Sequence, residues 1–235
     1  MQLFYDPAIQ TGPYELREEE AHHAARVLRR SVGDVLDIVD GRGGRYRAEI
    51  TEITKKYCQV DAVLEMRETI RKPYQSWLAV APTKTNERYE WWLEKATEIG
   101  IDRITPLLCE HSERKQIRHD RYERILEAGM KQSLAAWMPK LDELTIFDDL
   151  LGSLDEPGGA RIAWVGGTAS EAHLADTVER GEDVLILIGP EGGFSPAEVA
   201  AARERGIRAV HLGDKRLRTE TAALAALHTL VLLNR

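Results

Sequence analysis

The sequence predicts a mixed α/β protein with a strand-rich N-terminal part and a C-terminal part that alternates strands and helices. Residues 1–70 carry short, β-branched segments separated by glycine-rich or polar breaks. From Gln75 onward, apolar segments alternate with longer amphipathic ones. A charged segment without periodicity, Arg67–Tyr74, separates the two patterns. We therefore expect two domains, residues 1–70 and residues 74–235, with that segment as the linker.

The N-terminal part is predicted to form a small β-barrel-like module with one helix. The helix is Glu18–Arg30, where alanine and aliphatic side chains recur on roughly one side. The predicted strands are Val35–Val39, Tyr46–Ile53 and Cys58–Leu64.

The C-terminal part is predicted to form a mostly parallel sheet with helices on its faces. The candidate strands are Trp77–Ala81, Ile104–Leu108, Leu144–Phe147, Ile162–Val165, Val184–Ile188 and Ala209–Leu212. The candidate helices are Glu87–Ile99, Arg121–Ser133, Ala172–Arg180, Pro196–Arg205 and Glu220–Leu232. Ligands in such folds bind beyond the carboxyl ends of the strands, so we expect the functional site there.

Composition argues against several classes of protein. No stretch approaches the roughly 18 consecutive apolar residues of a membrane helix, and no signal peptide is visible. Two cysteines, Cys58 and Cys109, make neither a disulfide framework nor a zinc cluster. We therefore expect a cytoplasmic protein without a membrane partner or a metal.

The charge distribution gives a mixed indication about nucleic acid. The net charge of −7 argues against binding a polyanion. The segment Ala21–Arg47, however, holds six Arg and three Asp, together with His22 and His23. A solvated surface is the favoured explanation of this segment until another feature indicates RNA.

A first glycine motif follows the predicted strand Val184–Ile188. Gly189-Pro-Glu-Gly-Gly193 has three glycines in five residues, which allows the backbone to approach a ligand closely. Ser195, Pro196 and Glu198 then predict a capped helix start. The motif lacks the Lys-Ser/Thr ending of a phosphate loop and is not G-x-G-x-x-G, which disfavours ATP, GTP and dinucleotides. A plain strand-to-helix turn is the alternative.

A second motif follows the next strand along the chain. Leu212 and Gly213 lead into a short basic loop, and then into Arg218-Thr-Glu-Thr221 at the start of the last helix. Thr219 or Thr221 is expected to cap that helix, whose N–H groups can face a ligand carboxylate. A capped helix with a solvated basic pair is the alternative. Two such loops, taken as following neighbouring strands, favour one shared pocket.

Together the motifs resemble those of the ribosomal RNA small subunit methyltransferase E family, in the SPOUT superfamily. The matching segments are Gly189–Ser195, Leu212–Ala222, Lys95–Gly100, His22–Arg29, Gly33-Asp34 and Asp40-Gly41. The resemblance covers almost the whole chain. It implies a PUA-like RNA-binding barrel, then a SPOUT α/β domain with a deep trefoil knot, and a homodimer that pairs through the knots.

The resemblance also implies an S-adenosylmethionine cofactor. The substrate would be N3 of uridine 1498 in 16S ribosomal RNA, either free or in the small ribosomal subunit. The implied cofactor-binding residues are Val165, Gly166, Ile188, Gly189, Glu191, Gly192, Leu212, Gly213, Leu217, Thr219 and Ala222. The implied RNA-binding residues are His22, Arg26, Arg29, Arg30 and Arg45.

For the chemistry we expect Arg218 to stabilise negative charge on the uracil and Glu220 to accept the N3 proton, directly or through water. N3 lies on the Watson–Crick edge, so the base must be unpaired or turned out of its stack. Two departures from the family pattern stand out. The Gly-Arg pair expected after the third helix is absent from Gln132–Pro139, so Lys131 or Lys140 would take its place on RNA. Arg216 replaces an aliphatic residue.

Three alternatives stay open at this stage. They are a related enzyme acting on a ribose 2′-hydroxyl or on tRNA, a non-catalytic RNA-binding adaptor, and a small-molecule nucleotide enzyme. Intact Gly189–Gly193 and Arg218–Thr221 argue against the adaptor. The missing phosphate-loop lysine argues against the nucleotide enzyme.

Overall fold

The computed structural model describes residues 2–54, 56–69, 72–154, 160–163 and 172–235. The chain divides into two compact units. The first is Met1–Arg71 with Glu127–Met138, and the second is Lys72–Leu126 with Pro139–Arg235. Among the described residues, none of the helices combines the length and apolar character that crossing a membrane requires.

The first unit contains a five-stranded sheet. Its strands are β1 (Leu3–Tyr5), β2 (Gly12–Glu15), β3 (Val35–Val39), β4 (Gly44–Ile53) and β5 (Cys58–Arg67). Their order is β1-β3-β4-β5-β2, with β1 parallel to β3 and the other pairs antiparallel. The three predicted strands are confirmed. Strands β1 and β2 were not predicted, because three or four residues are too few to show alternation.

The helix of the first unit is shorter than predicted and changes its winding. Helix α1 (Glu18–His22) continues as a π-helical segment, His23–Val27. The predicted end at Arg30 is wrong, because Arg29 adopts a left-handed φ of 52° that no helix continues through. Three glutamates in the first turn of α1 favour its start, since they face the positive end of the helix dipole.

An ion-pair network joins α1 to the Glu127–Met138 segment within the first unit. The Glu20 carboxylate, 2% exposed, accepts a hydrogen bond from Lys131 Nζ at 2.7 Å. Lys131 also donates to Glu127 at 2.9 Å, and Arg17 donates to both glutamates. Lys131 is therefore occupied inside this unit, so it does not offer the free cation expected to replace the missing arginine on RNA.

The turn between β3 and β4 is built around one buried carboxylate. Asp40 Oδ1 accepts the backbone N–H groups of Arg42 and Gly44, each at 2.8 Å, and Oδ2 accepts from Arg67 at 3.0 Å. Burial raises the pKa of Asp40, but these three hydrogen bonds outweigh it and hold the pKa below its ordinary value. A Cβ on Gly44 would lie 2.4 Å from Asp40 Oδ2, so a side chain here would displace the buried carboxylate.

The second unit contains a parallel sheet, as predicted. Its strands are β6 (Ser76–Val80), β7 (Arg103–Leu108), β8 (Lys140–Leu141), β9 (Thr145–Ile146), β10 (Ala160–Ala163), β11 (Ala172–His173), β12 (Val184–Ile188) and β13 (Arg208–His211). Their order is β11-β13-β10-β12-β6-β7-β8, with β9 also paired to β7, and every described pair is parallel. The helices that follow α1 are α2 (Asn86–Ile99), α3 (His119–Gln132), α4 (Phe147–Gly152), α5 (Pro196–Glu204) and α6 (Thr219–Leu233). Helix α3 belongs to the second unit as far as Leu126 and to the first unit from Glu127.

Most of the predicted elements of the second unit are confirmed to within one or two residues. Gly100 ends α2 in the left-handed conformation, with φ of 93°, which glycine adopts without strain. The predicted strand Leu144–Phe147 is wrong at its end, because Phe147 begins α4 and packs against Phe194 in the core. The end of the predicted strand at Val165 lies outside the described residues.

The predicted helix Ala172–Arg180 is wrong. The chain forms the edge strand β11 and a 3₁₀ turn, Leu174–Asp176. Ala172 and His173 pair with Val210 and His211 of β13, so their backbone groups serve the sheet and not a helix. The buried Arg161 of β10 donates to the Thr177 carbonyl and to Glu182, the latter at 3.1 Å, which satisfies a cation that burial would otherwise penalise.

We predict that Asp40→Asn destabilises the first unit by about 2 kcal/mol at pH 7, because charge-assisted hydrogen bonds are lost. The depressed pKa means that this contribution is present above the ordinary value of 3.8 and is lost as pH falls below it. Urea unfolding at several pH values should show the deficit shrinking in acid. Exposed Asp61→Asn on β5 is the matched control. An equal deficit for both variants would contradict the assignment.

Candidate functional site

A cavity of about 570 Å³ opens at the carboxyl end of β12 in the second unit. Its walls are two loop segments, Ile188–Phe194 and Arg216–Thr219, with Arg88 of α2 and Ala222 of α6. The position agrees with the expectation that ligands bind beyond strand ends in parallel sheets.

The first loop is shaped by its glycines and fixed by the helix that follows. A Cβ on Gly192 would lie 3.0 Å from the His111 Cβ, and one on Gly189 would lie 3.1 Å from the Phe194 ring. The absence of side chains therefore lets the chain pass close to its neighbours. The capping box is confirmed: Glu198 N–H donates to Ser195 Oγ at 3.2 Å, and Ser195 N–H donates to the Glu198 carboxylate at 2.8 Å.

The two loops are joined by two hydrogen bonds. The Thr219 hydroxyl donates to the Gly189 carbonyl at 3.1 Å, and Arg216 Nη2 donates to the Glu191 carbonyl at 3.1 Å. The expectation that Thr219 or Thr221 caps α6 is wrong. The helix follows Arg218 without a side-chain cap, and Thr219 uses its hydroxyl on the other loop.

The sequence suggested that the two loops follow neighbouring strands, and this expectation is wrong. Strand β10 lies between β12 and β13 in the sheet. The loops meet nevertheless, because all three strands are parallel and end at the same edge. Strand β10 leads into residues 164–171, which lie outside the described residues and include the predicted Val165 and Gly166.

Most of the other predicted cofactor residues line the cavity: Ile188, Gly189, Glu191, Gly192, Leu217, Thr219 and Ala222. Leu212 and Gly213 are not part of its described lining. Gly213 is exposed, with φ of 121°, and its N–H donates to His211 Nδ1 at 3.1 Å.

Glu191 turns its carboxylate away towards the loop that follows β6. Its Oε1 accepts the Lys84 backbone N–H at 3.0 Å. Arg114 donates to the carbonyls of Thr83 and Lys84 at 3.0 and 2.8 Å, which holds that loop in place. The Glu191 carboxylate therefore joins the first loop of the cavity to the loop that follows β6.

The two predicted catalytic residues differ in exposure. Arg218 is exposed and lines the cavity. Glu220 is 8% exposed and is not part of the described lining. Its Oε1 lies 3.9 Å from Arg88 Nε, and its buried Oε2 has no hydrogen-bond partner among the described residues. Arg88 was missed, because a single arginine in a first helical turn carries no motif.

The predicted RNA-binding residues fall into two groups within the first unit. His22, Arg26 and Arg29 are exposed. Arg30 is half-buried, and its Nε is buried without a hydrogen-bond partner among the described residues. Arg45 is half-buried and donates to Glu68 and to the Leu134 carbonyl, each at 3.0 Å.

The polar segment Cys109–Lys115 shows no metal-binding geometry. Within the described ranges, no three His, Cys, Asp or Glu side chains converge as metal ligands. Cys109 is buried, and burial raises the pKa of its thiol, so it stays protonated. His111 instead places Nδ1 3.1 Å from the Gly193 carbonyl oxygen of the first loop.

Comparison with known proteins covers nearly the whole chain. Residues 71–231 match the model of an RNA methyltransferase domain, and residues 16–63 match that of an RNA methyltransferase PUA domain. A relative from Bacillus subtilis (strain 168), named ribosomal RNA small subunit methyltransferase E, is 25% identical over 231 residues, which cover 93% of this chain and 90% of the relative.

Solved structures agree with this match. A "probable rRNA-methyltransferase" of Porphyromonas gingivalis is 40% identical with a TM-score of 0.90, covering 100% of this chain and 98% of that one. Ribosomal RNA small subunit methyltransferase E of Neisseria gonorrhoeae, solved with S-adenosylmethionine, is 25% identical with a TM-score of 0.88 and the same coverage. These relatives confirm the resemblance that the motifs indicated, and the chain belongs to the RNA methyltransferase family.

Proposed function

We propose that this protein transfers a methyl group from S-adenosylmethionine to N3 of one uridine in 16S ribosomal RNA, uridine 1498 in the customary numbering. The observation that carries the proposal is the cavity formed where two loops, the first of them rich in glycine, are joined beyond parallel strands. Relatives from Neisseria gonorrhoeae and Legionella pneumophila were solved with S-adenosylmethionine bound, the second at 28% identity and a TM-score of 0.88.

The residues present fit such a cofactor. Gly189 and Gly192 let the first loop pass close to Phe194 and His111, which shapes the cavity wall, and Ile188, Leu217 and Ala222 provide an apolar lining. The proposed cofactor set therefore comprises these residues with Glu191 and Thr219. Val165, Gly166, Leu212 and Gly213 stay in the set on the strength of the family resemblance alone.

The chemistry needs a methyl donor, charge stabilisation and loss of a proton. The cofactor supplies a methyl group activated by its sulfonium. Arg218 would place a guanidinium near a uracil carbonyl and stabilise the negative charge that develops as N3 loses its proton. Glu220 would accept that proton through water, because its side chain lies behind the lining and its Oε2 is unpartnered among the described residues.

The RNA would be held by the first unit. Exposed His22, Arg26 and Arg29 would contact phosphates, which fix position without reading sequence. Arg30 and Arg45 belong to the same proposed set. Arg45 would bind RNA while it remains paired with Glu68. Lys140, 65% exposed beside Asp142, is the remaining candidate to replace the absent arginine.

Family membership supports further proposals about organisation. We propose a PUA-like domain at residues 1–70 and a SPOUT domain at 74–235 with a trefoil knot. The protein would act in the cytoplasm as a homodimer on 16S ribosomal RNA or the small subunit.

Nucleoside analysis tests the reaction and the role of Arg218 together. Incubated with S-adenosylmethionine and small-subunit RNA, the protein should produce 3-methyluridine, and Arg218→Ala should lower kcat roughly 100-fold by removing charge stabilisation. Its affinity for S-adenosylhomocysteine should stay within about twofold. Arg124→Ala, which removes an exposed arginine paired with Asp120 on α3, is the control. A 2′-O-methylated nucleoside as product would refute the proposed reaction.

A salt titration tests the proposed RNA clamp. Arg26→Ala with Arg29→Ala should weaken RNA binding and reduce the slope of log affinity against log salt by about 1.5, since two phosphate contacts disappear. The matched Arg→Lys pair keeps both charges and should retain most of the slope. An unchanged slope in the alanine variant would remove these arginines from the RNA interface.

A further inference from the structure

Arg88 and Glu220 form a cross-helix pair beside the cavity. Arg88 lies in the first turn of α2, and its side chain is 42% exposed and lines the cavity wall. Glu220 lies in the first turn of α6, which packs against α2. The Arg88 Nε lies 3.9 Å from Glu220 Oε1, so the guanidinium has an anionic neighbour at salt-bridge distance and also lines the cavity.

The burial of Glu220 calls for an explanation. Its carboxylate is 8% exposed, and Oε2 makes no hydrogen bond to any described residue. Burying a carboxylate oxygen without a hydrogen-bond partner is unfavourable. Such a group in a folded protein therefore indicates a functional role. The proximity of Arg88 offsets part of the cost of burying Oε1, which lies 3.9 Å from its Nε. Glu220 therefore has one carboxylate oxygen at salt-bridge distance from a cavity-lining cation and one without a hydrogen-bond partner among the described residues.

The cavity is positively charged in an acidic chain. Arg88, Arg216 and Arg218 all line it, whereas Glu191 directs its carboxylate to the Lys84 N–H. Arg216 already donates to the Glu191 carbonyl. Arg88 stands on a regular helix with nearly half of its side chain open to solvent, which suits an anionic group that arrives from solution.

We propose that Arg88 binds a phosphate of the RNA next to the target uridine, and that Glu220 is its positioning residue. This inference rests on the proposed function. A guanidinium binds phosphate through paired, charge-assisted hydrogen bonds, and holding it in place beforehand reduces the entropy lost on binding. Arg88 thus contributes to holding the substrate, while Arg218 serves the chemical step.

The test measures RNA affinity at several salt concentrations, steady-state kinetics and S-adenosylhomocysteine affinity on the full chain. Arg88→Ala should raise KM for RNA about tenfold and lower the salt slope by about one, with kcat and S-adenosylhomocysteine affinity within about twofold. Arg88→Lys should restore the slope but only part of the affinity, because the lysine lacks the paired donors. Arg124→Ala is the control for removal of an exposed arginine.

Glu220→Gln separates positioning from proton transfer. It should raise KM in the wild-type background and add no further rise in KM to Arg88→Ala, since the two residues act on RNA binding as one unit. A loss of kcat in Glu220→Gln would reflect the proposed role of Glu220 as proton acceptor, whereas the change in KM reports its positioning role. If Arg88→Ala does not fold, Arg88→Gln and Arg88→Lys carry the same comparison.

Three results would overturn the inference: an unchanged RNA affinity in Arg88→Ala, a fall in S-adenosylhomocysteine affinity instead, or additive KM effects of the two substitutions. Failure of the proposed function has a different signature, namely wild-type protein that makes no 3-methyluridine. The RNA-binding comparison still reports on Arg88 in that case.

Discussion

The contact between the Thr219 hydroxyl and the Gly189 carbonyl is the interaction on which the site depends. It joins the start of α6 to the loop after β12, across the intervening strand β10. Arg216 makes a second connection by donating to the Glu191 carbonyl. A parallel sheet brings strand ends to one edge, but side chains must still close the space between the loops. Here the Thr219 hydroxyl and the Arg216 guanidinium join the two loops, and these loops form the walls of the cavity.

The electrostatics of the cavity follow from the same arrangement. The start of α6 carries Arg218 on the cavity side and Glu220 on the buried side, where it faces Arg88 of α2. Under the proposed function, this one short segment would supply a guanidinium for the chemistry and an acid beside a second guanidinium. The overall charge of −7 conceals this local positive region, which is why bulk composition was a poor guide to the substrate.

Sequence predicted those parts of the fold in which local rules and tertiary structure agree. Strand β12 is a run of five buried aliphatic residues, and the capping box after it uses residues three apart. Both patterns are local and can be recognised without knowing how the rest of the chain folds. The same holds for Gly100, whose left-handed conformation ends α2.

The errors arise where distant residues override local preference. Pairing with β13 takes Ala172 and His173 into the sheet, so the helix predicted for Ala172–Arg180 does not form. Thr219 has an ordinary capping position by sequence, yet the nearby Gly189 carbonyl takes its hydroxyl. Arg88 precedes Glu220 by more than a hundred residues, and only the packing of α2 on α6 brings them together.

Calorimetry with S-adenosylhomocysteine tests the joined loops most directly. Thr219→Val removes the hydroxyl with little change of shape, and the loss of a neutral hydrogen bond should weaken binding roughly fivefold. Thr229→Val is the matched control, because its hydroxyl donates to the Ala225 carbonyl within α6 and it is not part of the cavity lining. We predict weaker binding for Thr219→Val alone. Wild-type affinity in Thr219→Val, or no binding by the wild-type protein, would contradict the account.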